Sequence, residues 1–539
     1  MNRREFLCSS AALTLASCSS DVTPPLPPVV VHGDDPGFGH RLRLGGFPPA
    51  SETRRTAVLI IGGGIAGLSA AWKLLRGGVD DFLVCELGER AGGNARWGEN
   101  AVSAYPWAAH YLPLPTQESR AVRELLADLG ALRGDPHVTR PSYEERYLCN
   151  APQERLYRNG VWQEGVMPRA GLSASEREQE QRFAGLMSAF KLRRGRDGRK
   201  AFALPLEFSS RDPVLLALDR QTMRAWLLEQ GLDSAPLHWY ADYACRDDFG
   251  TAAAQTSAWA GIHYFACRDG EAEEAAGDIV LTAPEGNGWM VRRLAERIGK
   301  RLLTAALCTR IGDGGRRAHA EVFLRNEERT LRVEAAQLIY AAPVFTLPAV
   351  WPDAPPALLQ AARAVDYAPW LTANLTLSRL PEERHGAPLS WDNVLYDGAG
   401  LGYVVATHQN MRTRPGPTVL TYYRALAQMA PQAGRQQLLE RGREAWAEEI
   451  LGELQRAHPD LRAITQEIDI CRFGHAMARP LPGTLWHGRR DVLARQYRRI
   501  QLAHADLSGI SLFEEANYRG VLAAERALRA LGASFATSF

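Results

Sequence analysis

The sequence lacks several features that would point to common classes of function. Of its 63 basic residues only four are lysines, and the formal net charge is +2. A charge this close to zero gives no reason to expect a nucleic-acid partner. Histidines and cysteines do not recur at the spacing of a metal site, so we expect no metal. No apolar run approaches the roughly 20 residues that a membrane-spanning helix needs.

Eight cysteines are present, but none of them forms a CxxC pair. Cys85 lies inside an apolar run, which is typical of a buried thiol. A disulfide between Cys245 and Cys267 is one option that the sequence leaves open, because connectivity cannot be deduced from spacing.

The first 20 residues, MNRREFLCSSAALTLASCSS, carry two export features. Arg3 and Arg4 precede a short apolar run, which predicts a twin-arginine signal. The run ends at Leu15-Ala16-Ser17-Cys18, which resembles the box at which bacterial lipoproteins are cut and lipidated. The sequence therefore predicts a periplasmic, membrane-anchored lipoprotein, exported by the twin-arginine route, with its lipid on Cys18. The alternative is an uncleaved amphipathic N-terminus.

Residues 57–86 predict a strand, a glycine turn, a helix and a second strand. Ala57 to Ile61 is an apolar run typical of a buried parallel strand, and Phe82 to Cys85 is another. In between, Gly62 allows a tight turn, Gly64 leaves room for a pyrophosphate, and Gly67 lets the helix approach the strand. Glu86 follows the second strand, where a carboxylate can bind a ribose diol. The pattern predicts a dinucleotide site.

The following stretch, Glu89-Arg90-Ala91-Gly92-Gly93-Asn94-Ala95-Arg96, decides between dinucleotides. It resembles the RxGG segment of the flavin-containing amine oxidoreductases and their carotenoid-desaturase relatives, which implies FAD. That family usually has arginine directly after the two glycines, whereas this chain has Asn94, with Arg96 two residues later. Residues 501–525 resemble the last FAD-contacting segment of the family. The cofactor-binding residues that the motif and the resemblance imply are Gly62, Gly64, Ile65, Ala66, Gly67, Glu86, Leu87, Arg90, Gly92, Gly93, Asn94, Arg96, Cys308 and Asp506.

The resemblance also implies roles for three of the more distant parts of the chain. Cys308 would lie where the family makes a backbone contact to adenine, and Asp506 would hold the ribityl or pyrophosphate portion. A helix beginning near Ser511 would point its N-terminus at the pyrimidine edge of the flavin, where its dipole favours negative charge.

The expected fold class is α/β, with a discontinuous Rossmann-like FAD-binding domain and an inserted α+β substrate domain. We expect a signal over 1–18 and a linker rich in proline and glycine over 19–54, with the globular part starting near Arg55. The FAD-binding domain would comprise 55–115, 278–350 and 470–535. The substrate domain would comprise 116–277 and 351–469. The basic tract at 191–200 is best interpreted as a solvated loop, with contact to anionic lipid as the alternative.

Aromatic residues near the RxGG segment are the first candidates for the wall of a substrate cavity. Trp107, His110 and Tyr111 follow that segment closely, and the second candidates are Phe473, His475, Trp486 and His487. The resulting hypothesis is an FAD-dependent oxidoreductase that takes a hydride from a small organic substrate, such as an amine, onto flavin N5. The alternatives are a desaturase or isomerase of a lipophilic substrate and a non-catalytic, FAD-stabilised binding protein.

The scarcity of lysine bears on the electron acceptor, which could be oxygen, a quinone or a protein. Many flavin amine oxidases carry a lysine on a substrate-domain strand beside flavin N5, where its charge assists transfer of electrons to oxygen. The matching strand here, residues 368–375, has no lysine. Thr372 or Asn374 would face the flavin instead. This favours a dehydrogenase over an oxidase.

Export can be tested directly. Changing Arg3 and Arg4 to lysine should leave flavin-loaded protein in the cytoplasm, because the twin-arginine pair is the recognised feature. Cell fractionation measures this, and export at the normal level would contradict the prediction. The matched variant Cys18→Ser should leave export intact and release the protein from the membrane fraction.

Overall fold

The computed structural model describes residues 24–33, 36–275, 279–410 and 414–539. The signal residues Arg3, Arg4 and Cys18 lie outside these ranges. No helix within them combines the length and the apolar character that crossing a bilayer requires.

One eight-stranded sheet is built around two parallel strands and their crossover helix. Its order is β12-β3-β2-β15-β14-β13, with β22 pairing with β15 and β21 with β22. Strands are numbered along the chain, and those of this sheet are β2 (Ala50–Ile61), β3 (Phe82–Cys85), β12 (Leu302–Leu303), β13 (Ala306–Asp313), β14 (Ala318–Leu324), β15 (Arg329–Tyr340), β21 (Gln496–Tyr497) and β22 (Ile500–Leu502).

A second eight-stranded sheet carries most of the remaining strands. Its order is β1-β20-β16-β19-β18-β17-β9-β10. Its strands are β1 (Val29–Gly33), β9 (Glu154–Arg158), β10 (Val161–Glu164), β16 (Tyr367–Leu377), β17 (Asp392–Leu395), β18 (Tyr403–Val405), β19 (Thr418–Ala425) and β20 (Thr465–Ala478). Three two-stranded pairs are β4 (Trp97–Glu99) with β5 (Ala104–Pro106), β6 (Leu112–Pro113) with β11 (Val280–Leu281), and β7 (Leu132–Arg133) with β8 (Ser142–Tyr143).

Helices cover the sheets and form a separate helical layer between residues 174 and 266. The α-helices are α1 (Pro36–Leu44), α2 (Ile65–Arg76), α3 (Arg120–Asp128), α4 (Ala174–Leu192), α5 (Pro213–Leu216), α6 (Met223–Glu229), α7 (Ala235–Phe249), α8 (Ala258–Ala266), α9 (Gly288–Ile298), α10 (Leu347–Val350), α11 (Pro356–Arg363), α12 (Pro431–Glu440), α13 (Arg443–Leu454), α14 (Leu461–Ile464), α15 (Arg489–Leu493) and α16 (Phe513–Ala530).

The strand predicted at Ala57–Ile61 is the buried end of β2. Val58 and Ile60 face one apolar core, while Leu59 and Ile61 face another on the opposite side of the sheet. Both faces are covered because β2 pairs in parallel with β3 and β15, as a crossover helix requires. On one side, α2 packs against the C-terminal helix α16, where a side chain on Gly520 would come within 2.0 Å of the Ala66 carbonyl oxygen.

The expectation of a linker over 19–54 is wrong for the residues that the structure describes. Val29–Gly33 pairs in parallel with β20, from Val29 opposite Ile468 to Gly33 opposite Arg472. Helix α1 follows and buries Phe38 against the first sheet. The valine run of β1 is β-branched and suits an edge strand, a signal that the surrounding prolines obscured.

The boundary between the substrate domain and the last FAD-domain segment, expected at residue 470, lies later in the chain. β20 runs from Thr465 to Ala478 within the second sheet, because it pairs with β16 along most of its length. The last stretch associated with the first sheet therefore begins after Ala478.

The open question of a disulfide is settled against a bridge. Cys245 and Cys267 form no disulfide, and neither do the other four described cysteines. Both are buried among the apolar side chains of the helical layer, and this burial raises the pKa of each thiol.

Candidate functional site

The three glycines after β2 play different parts in the turn. An added Cβ on Gly62 would lie 2.8 Å from the Ala341 carbonyl carbon, and one on Gly67 would lie 1.9 Å from the Gly62 oxygen. Packing alone therefore requires glycine at these two positions. At Gly64 the nearest protein atom would be Gly93 Cα at 4.0 Å. The space beside Gly64 is left for something other than the chain, as a bound pyrophosphate requires.

Glu86 is held at the end of β3 by the same turn. One carboxylate oxygen accepts a hydrogen bond from the Gly63 amide at 2.8 Å, and the other accepts from the Gly88 amide at 2.7 Å. A carboxylate has about four lone-pair sites, so these two bonds orient the group and leave capacity for a ribose diol. Leu87 follows directly and is partly exposed.

The RxGG segment lies against the glycine turn, as the resemblance implied. The Gly92 amide donates to the Gly63 oxygen at 2.8 Å, and Gly92 and Gly93 have φ values of 130° and 55°. Asn94 Nδ2 donates to the Ala476 oxygen at 2.6 Å and so links the segment to β20. The Arg96 guanidinium lies 5.8 Å from the Phe473 ring centre. Gly62, Glu86, Gly92 and Asn94 are thus brought to one place.

Two of the predicted cofactor residues, Cys308 and Asp506, lie in other elements of the fold. Both are buried, and Asp506 is already hydrogen-bonded to protein groups. Cys308 is buried in β13. Asp506 Oδ2 accepts hydrogen bonds from Tyr367 Oη at 2.6 Å and from the Val344 amide at 3.0 Å. Burial alone would raise the pKa of Asp506, but His504 and these hydrogen bonds hold it below its ordinary value. Contact of either residue with the cofactor stays a prediction.

An aromatic wall stands next to the RxGG segment. The Ala109 amide donates to the Asn94 oxygen at 2.9 Å, which fixes the stretch that carries His110 and Tyr111. The His110 ring centre lies 4.8 Å from that of Tyr423 and 5.6 Å from that of Trp391. Of the predicted Trp107, His110 and Tyr111, the last two pack with Trp391 or Tyr423, and their role in a substrate wall stays a prediction. Trp391 and Tyr423 were missed because they are distant in sequence and only the second sheet brings them here.

Trp107 takes a different position from its two neighbours. Its ring packs against His32 of β1 and against Tyr105, and its carbonyl oxygen accepts a hydrogen bond from Thr372 Oγ1 at 2.6 Å. It ties the wall to β16. Asn374 Nδ2 similarly donates to the Pro106 oxygen at 3.2 Å.

Carboxyl groups from two elements face this wall. Tyr423 Oη donates to Asp392 Oδ1 at 2.9 Å, and Tyr111 Oη donates to Asp247 Oδ2 at 3.3 Å. Burial and the nearby Asp247 raise the pKa of Asp392 well above its ordinary value. Burial also raises the pKa of Asp247, although Arg268 acts in the opposite direction.

Arg268 is the basic residue that lies beside Asp247 and the adjacent Asp248. Its guanidinium donates to Asp248 Oδ1 at 2.7 Å and to Tyr111 Oη at 3.2 Å. Burial nevertheless raises the pKa of Asp248 to about 6. Asp248 takes the ion pair with Arg268, and among the described residues no basic group lies within salt-bridge distance of Asp247 or Asp392, although the Arg268 charge still favours ionised Asp247.

His110, Tyr111 and Asp247 lie deep in the molecule, yet each keeps part of its surface accessible. We infer from this combination that they line an internal cavity. Burial lowers the pKa of His110 to about 4, and a 3.0 Å hydrogen bond from Nδ1 to the Ala108 oxygen offsets only part of this. The imidazole is neutral at physiological pH.

The second group of candidates divides in two. Phe473 lies beneath Arg96, and His475 stacks on Phe345 at 4.2 Å, close to Tyr367. Trp486 packs on Trp259 in the helical layer, and His487 lies 3.7 Å from Asp219. Only the first two lie next to the predicted cofactor segments.

The four lysines all lie away from β16. Lys73 pairs with Glu525 at 3.1 Å, and Lys200 pairs with Asp269 at 2.6 Å and Glu118 at 2.9 Å. Lys191 is near the end of α4, and Lys300 follows α9.

Comparison with known proteins agrees with this geometry. The model of the family described as flavin containing amine oxidoreductase matches residues 65–528. A solved structure of putrescine oxidase bound to putrescine is 16% identical, with a TM-score of 0.65, over 88% of this chain and 100% of that one. Cyclohexylamine oxidase from Brevibacterium oxydans IH-35A is also 16% identical, with a TM-score of 0.63, over 90% of this chain and 100% of that one. The predicted α/β fold class is confirmed.

A curated relative matches over a shorter stretch. Tryptophan 2-monooxygenase from Pantoea agglomerans pv. gypsophilae is 38% identical over 96 residues, which is 18% of this chain and 14% of that protein. The aligned stretch spans well under a fifth of the relative's length.

The space beside Gly64 gives a sharp test of the cofactor site. Gly64→Val places a branched side chain there without meeting the protein, so the chain should still fold but purify colourless. Absorbance reports the flavin, and circular dichroism reports the fold. Gly185→Val is the matched control, because Gly185 lies on α4 with no protein atom within 4 Å of an added Cβ. A yellow, fully loaded Gly64→Val protein would contradict the site.

Proposed function

Because the chain belongs to the flavin-containing amine oxidoreductase family and its cofactor is FAD, we propose that it oxidises a small organic amine. One observation carries the choice of an amine. The cavity beside the RxGG segment joins aromatic ring faces with two carboxyl groups, Asp247 and Asp392, that form no salt bridge with any described residue.

An ammonium group suits both parts of this wall. Ring faces attract a cation, and the attraction grows where water is excluded. A cation near Asp392 would also favour its carboxylate form and so reverse the effect that burial has on its pKa. Binding of the amine would thus supply a counter-ion to these carboxyl groups.

The same charges disfavour the alternative of a lipophilic substrate. A fatty acid would bring a further negative charge beside Asp247 and Asp392, and a neutral alkene would leave both groups buried without a partner. An amino acid would need a cation for its carboxylate. Arg268 is the basic residue here, and Asp248 already pairs with it at 2.7 Å.

The residues of the chain would divide the work as follows. Bound FAD supplies the hydride acceptor. Tyr423 and Trp391 shape the cavity, while Asp392 anchors positive charge. An amine must lose a proton before its carbon can give up a hydride. Asp247 can accept that proton, because Arg268 favours its carboxylate form while burial keeps its pKa above the ordinary value. His110 stays neutral and positions the ring wall.

We further propose a dehydrogenase that passes electrons to a quinone or a protein. Thr372 and Asn374 use their side chains to hold the 106–107 backbone, and neither can supply a positive charge. Arg96 is the cation that the RxGG segment brings near this strand, because it lies over Phe473, which pairs with Trp370 of β16. A periplasmic protein anchored by lipid at Cys18 would meet a membrane quinone readily.

The substrate proposal predicts the effect of Asp392→Asn. Anaerobic mixing with primary amines, diamines and lipophilic alkenes should bleach the wild-type flavin with amines only. In Asp392→Asn the flavin should remain bound and kcat/KM for amines should fall by about 100-fold, as expected for loss of a buried charged hydrogen-bond partner. Asp353→Asn, at an exposed carboxylate, is the matched control. Bleaching by alkenes alone, or an unchanged Asp392→Asn variant, would refute the assignment.

The acceptor proposal predicts slow reaction with oxygen. Flavin reduced by substrate should reoxidise slowly in air-saturated buffer and rapidly with a soluble quinone, as followed by stopped-flow absorbance. Arg96→Gln should change the oxygen rate little. Fast reoxidation with stoichiometric peroxide in the wild type, lost in Arg96→Gln, would show instead that Arg96 takes the part of the lysine.

A further inference from the structure

A second cavity, of about 200 Å³, lies on the outer side of the C-terminal helix α16. It is bounded by α16, by α15 and by the short turn at 206–208. Its charged lining residues are Arg490, Arg495, Arg519, Arg526, Glu207 and Asp491. It shares no residue with the aromatic wall or with the glycine turn.

The arginines of this cavity outnumber their carboxylate partners. Glu207 Oε2 accepts from Arg519 at 3.3 Å and from Arg490 at 3.4 Å, and Glu207 Oε1 accepts from Arg211 at 2.7 Å. One carboxylate therefore serves three guanidinium groups. Such sharing leaves donors and positive charge uncompensated, because a carboxylate pairs fully with one guanidinium fork.

The two outer arginines have no such partner. Across the part of the chain that the structure describes, no carboxylate lies within salt-bridge distance of Arg495 or Arg526. Arg526 Nη1 donates only to the Ala494 oxygen at 3.3 Å. Their guanidinium groups are available to a ligand in the cavity.

Because two of these arginines are buried, their uncompensated positive charge carries a desolvation free-energy penalty. Arg490 and Arg519 are 5% and 3% exposed. Burial and the adjacent Arg519 lower the pKa of Arg490 to about 10. Glu515 lies nearby, but burial raises its pKa and so weakens it as a source of negative charge.

We propose that this cavity binds a small oxyanion that carries a phosphate group, either inorganic phosphate or a phosphate monoester. Guanidinium forks match the oxygens of phosphate, and several converging arginines suit a dianion better than a single charge. The volume of about 200 Å³ is sufficient for such a group.

The site is connected to the segment that resembles the last FAD contact. Arg490 Nε donates to the Leu507 oxygen at 3.3 Å, and Arg519 Nε donates to Ser508 Oγ at 2.9 Å. Both acceptors follow Asp506 directly. A bound oxyanion would hold the two arginines in place and thereby stiffen this segment, so phosphate should slow the loss of FAD.

The test uses the FAD-loaded full chain prepared in chloride buffer. Inorganic phosphate and glycerol phosphate are titrated calorimetrically, with sodium chloride at equal ionic strength as the reference, and Tm is followed in parallel. We expect saturable binding with one site and a rise in Tm of several degrees. The tighter of the two ligands identifies whether the free ion or the ester is preferred.

Variants locate the binding. Arg495→Gln with Arg526→Gln should weaken affinity at least tenfold while the flavin spectrum is unchanged, because Arg526 donates to the Ala494 oxygen, which lies outside the 501–525 segment. Arg193→Gln with Arg199→Gln removes the same charge from an exposed loop and should leave affinity intact. Phosphate that acts no differently from chloride, or that binds equally to both double variants, would overturn the proposal.

Discussion

The close approach of helix α2 to the turn before it sets the geometry of the cofactor site. Gly67 lies so near the Gly62 oxygen that a methyl group would overlap it, and Gly520 of α16 approaches Ala66 as tightly from the other side. The helix is thus fixed between a strand and a second helix. Its first amides, which have no partners within the helix, point at the space beside Gly64. Glu86 and the RxGG segment are then positioned by hydrogen bonds to this same turn.

The two cavities show opposite electrostatic problems. The inner cavity buries carboxyls with too few cations, and the outer cavity buries guanidinium groups with too few anions. Removing a charge from water costs several kcal/mol unless a partner compensates. In each cavity, the charged groups that lack a partner are the ones that a ligand of opposite charge would bind. The C-terminal helix α16 takes part in both, because Glu514 in its first turn lies near Arg268 and its outer face carries Arg519 and Arg526.

The parts of the site that depend on local sequence could be predicted, and those that depend on long-range pairing could not. Gly62, Gly64, Gly67 and Glu86 lie within one strand–helix–strand unit, whose spacing alone defines their roles. Trp391, Tyr423 and Asp392 come together only because β17 and β19 are held in one sheet through β18. Arg268 lies just beyond the C-terminus of α8, and the apolar sequence of that helix does not indicate that a basic residue after it reaches the cavity. The valines of β1 did indicate a strand, but the neighbouring prolines led to the prediction of a linker.

The pairing of β1 with β20 also imposes an order on folding. His32 Nε2 and Asp469 Oδ1 are 2.6 Å apart although 437 residues separate them in the chain. Closing so long a loop is slow, and the strand that receives β1 is among the last to be synthesised. The start of the chain must therefore wait until the second sheet exists before it can dock on the sheet's edge. Throughout synthesis β1 itself therefore stays undocked, and its pairing with β20 marks the completion of the second sheet.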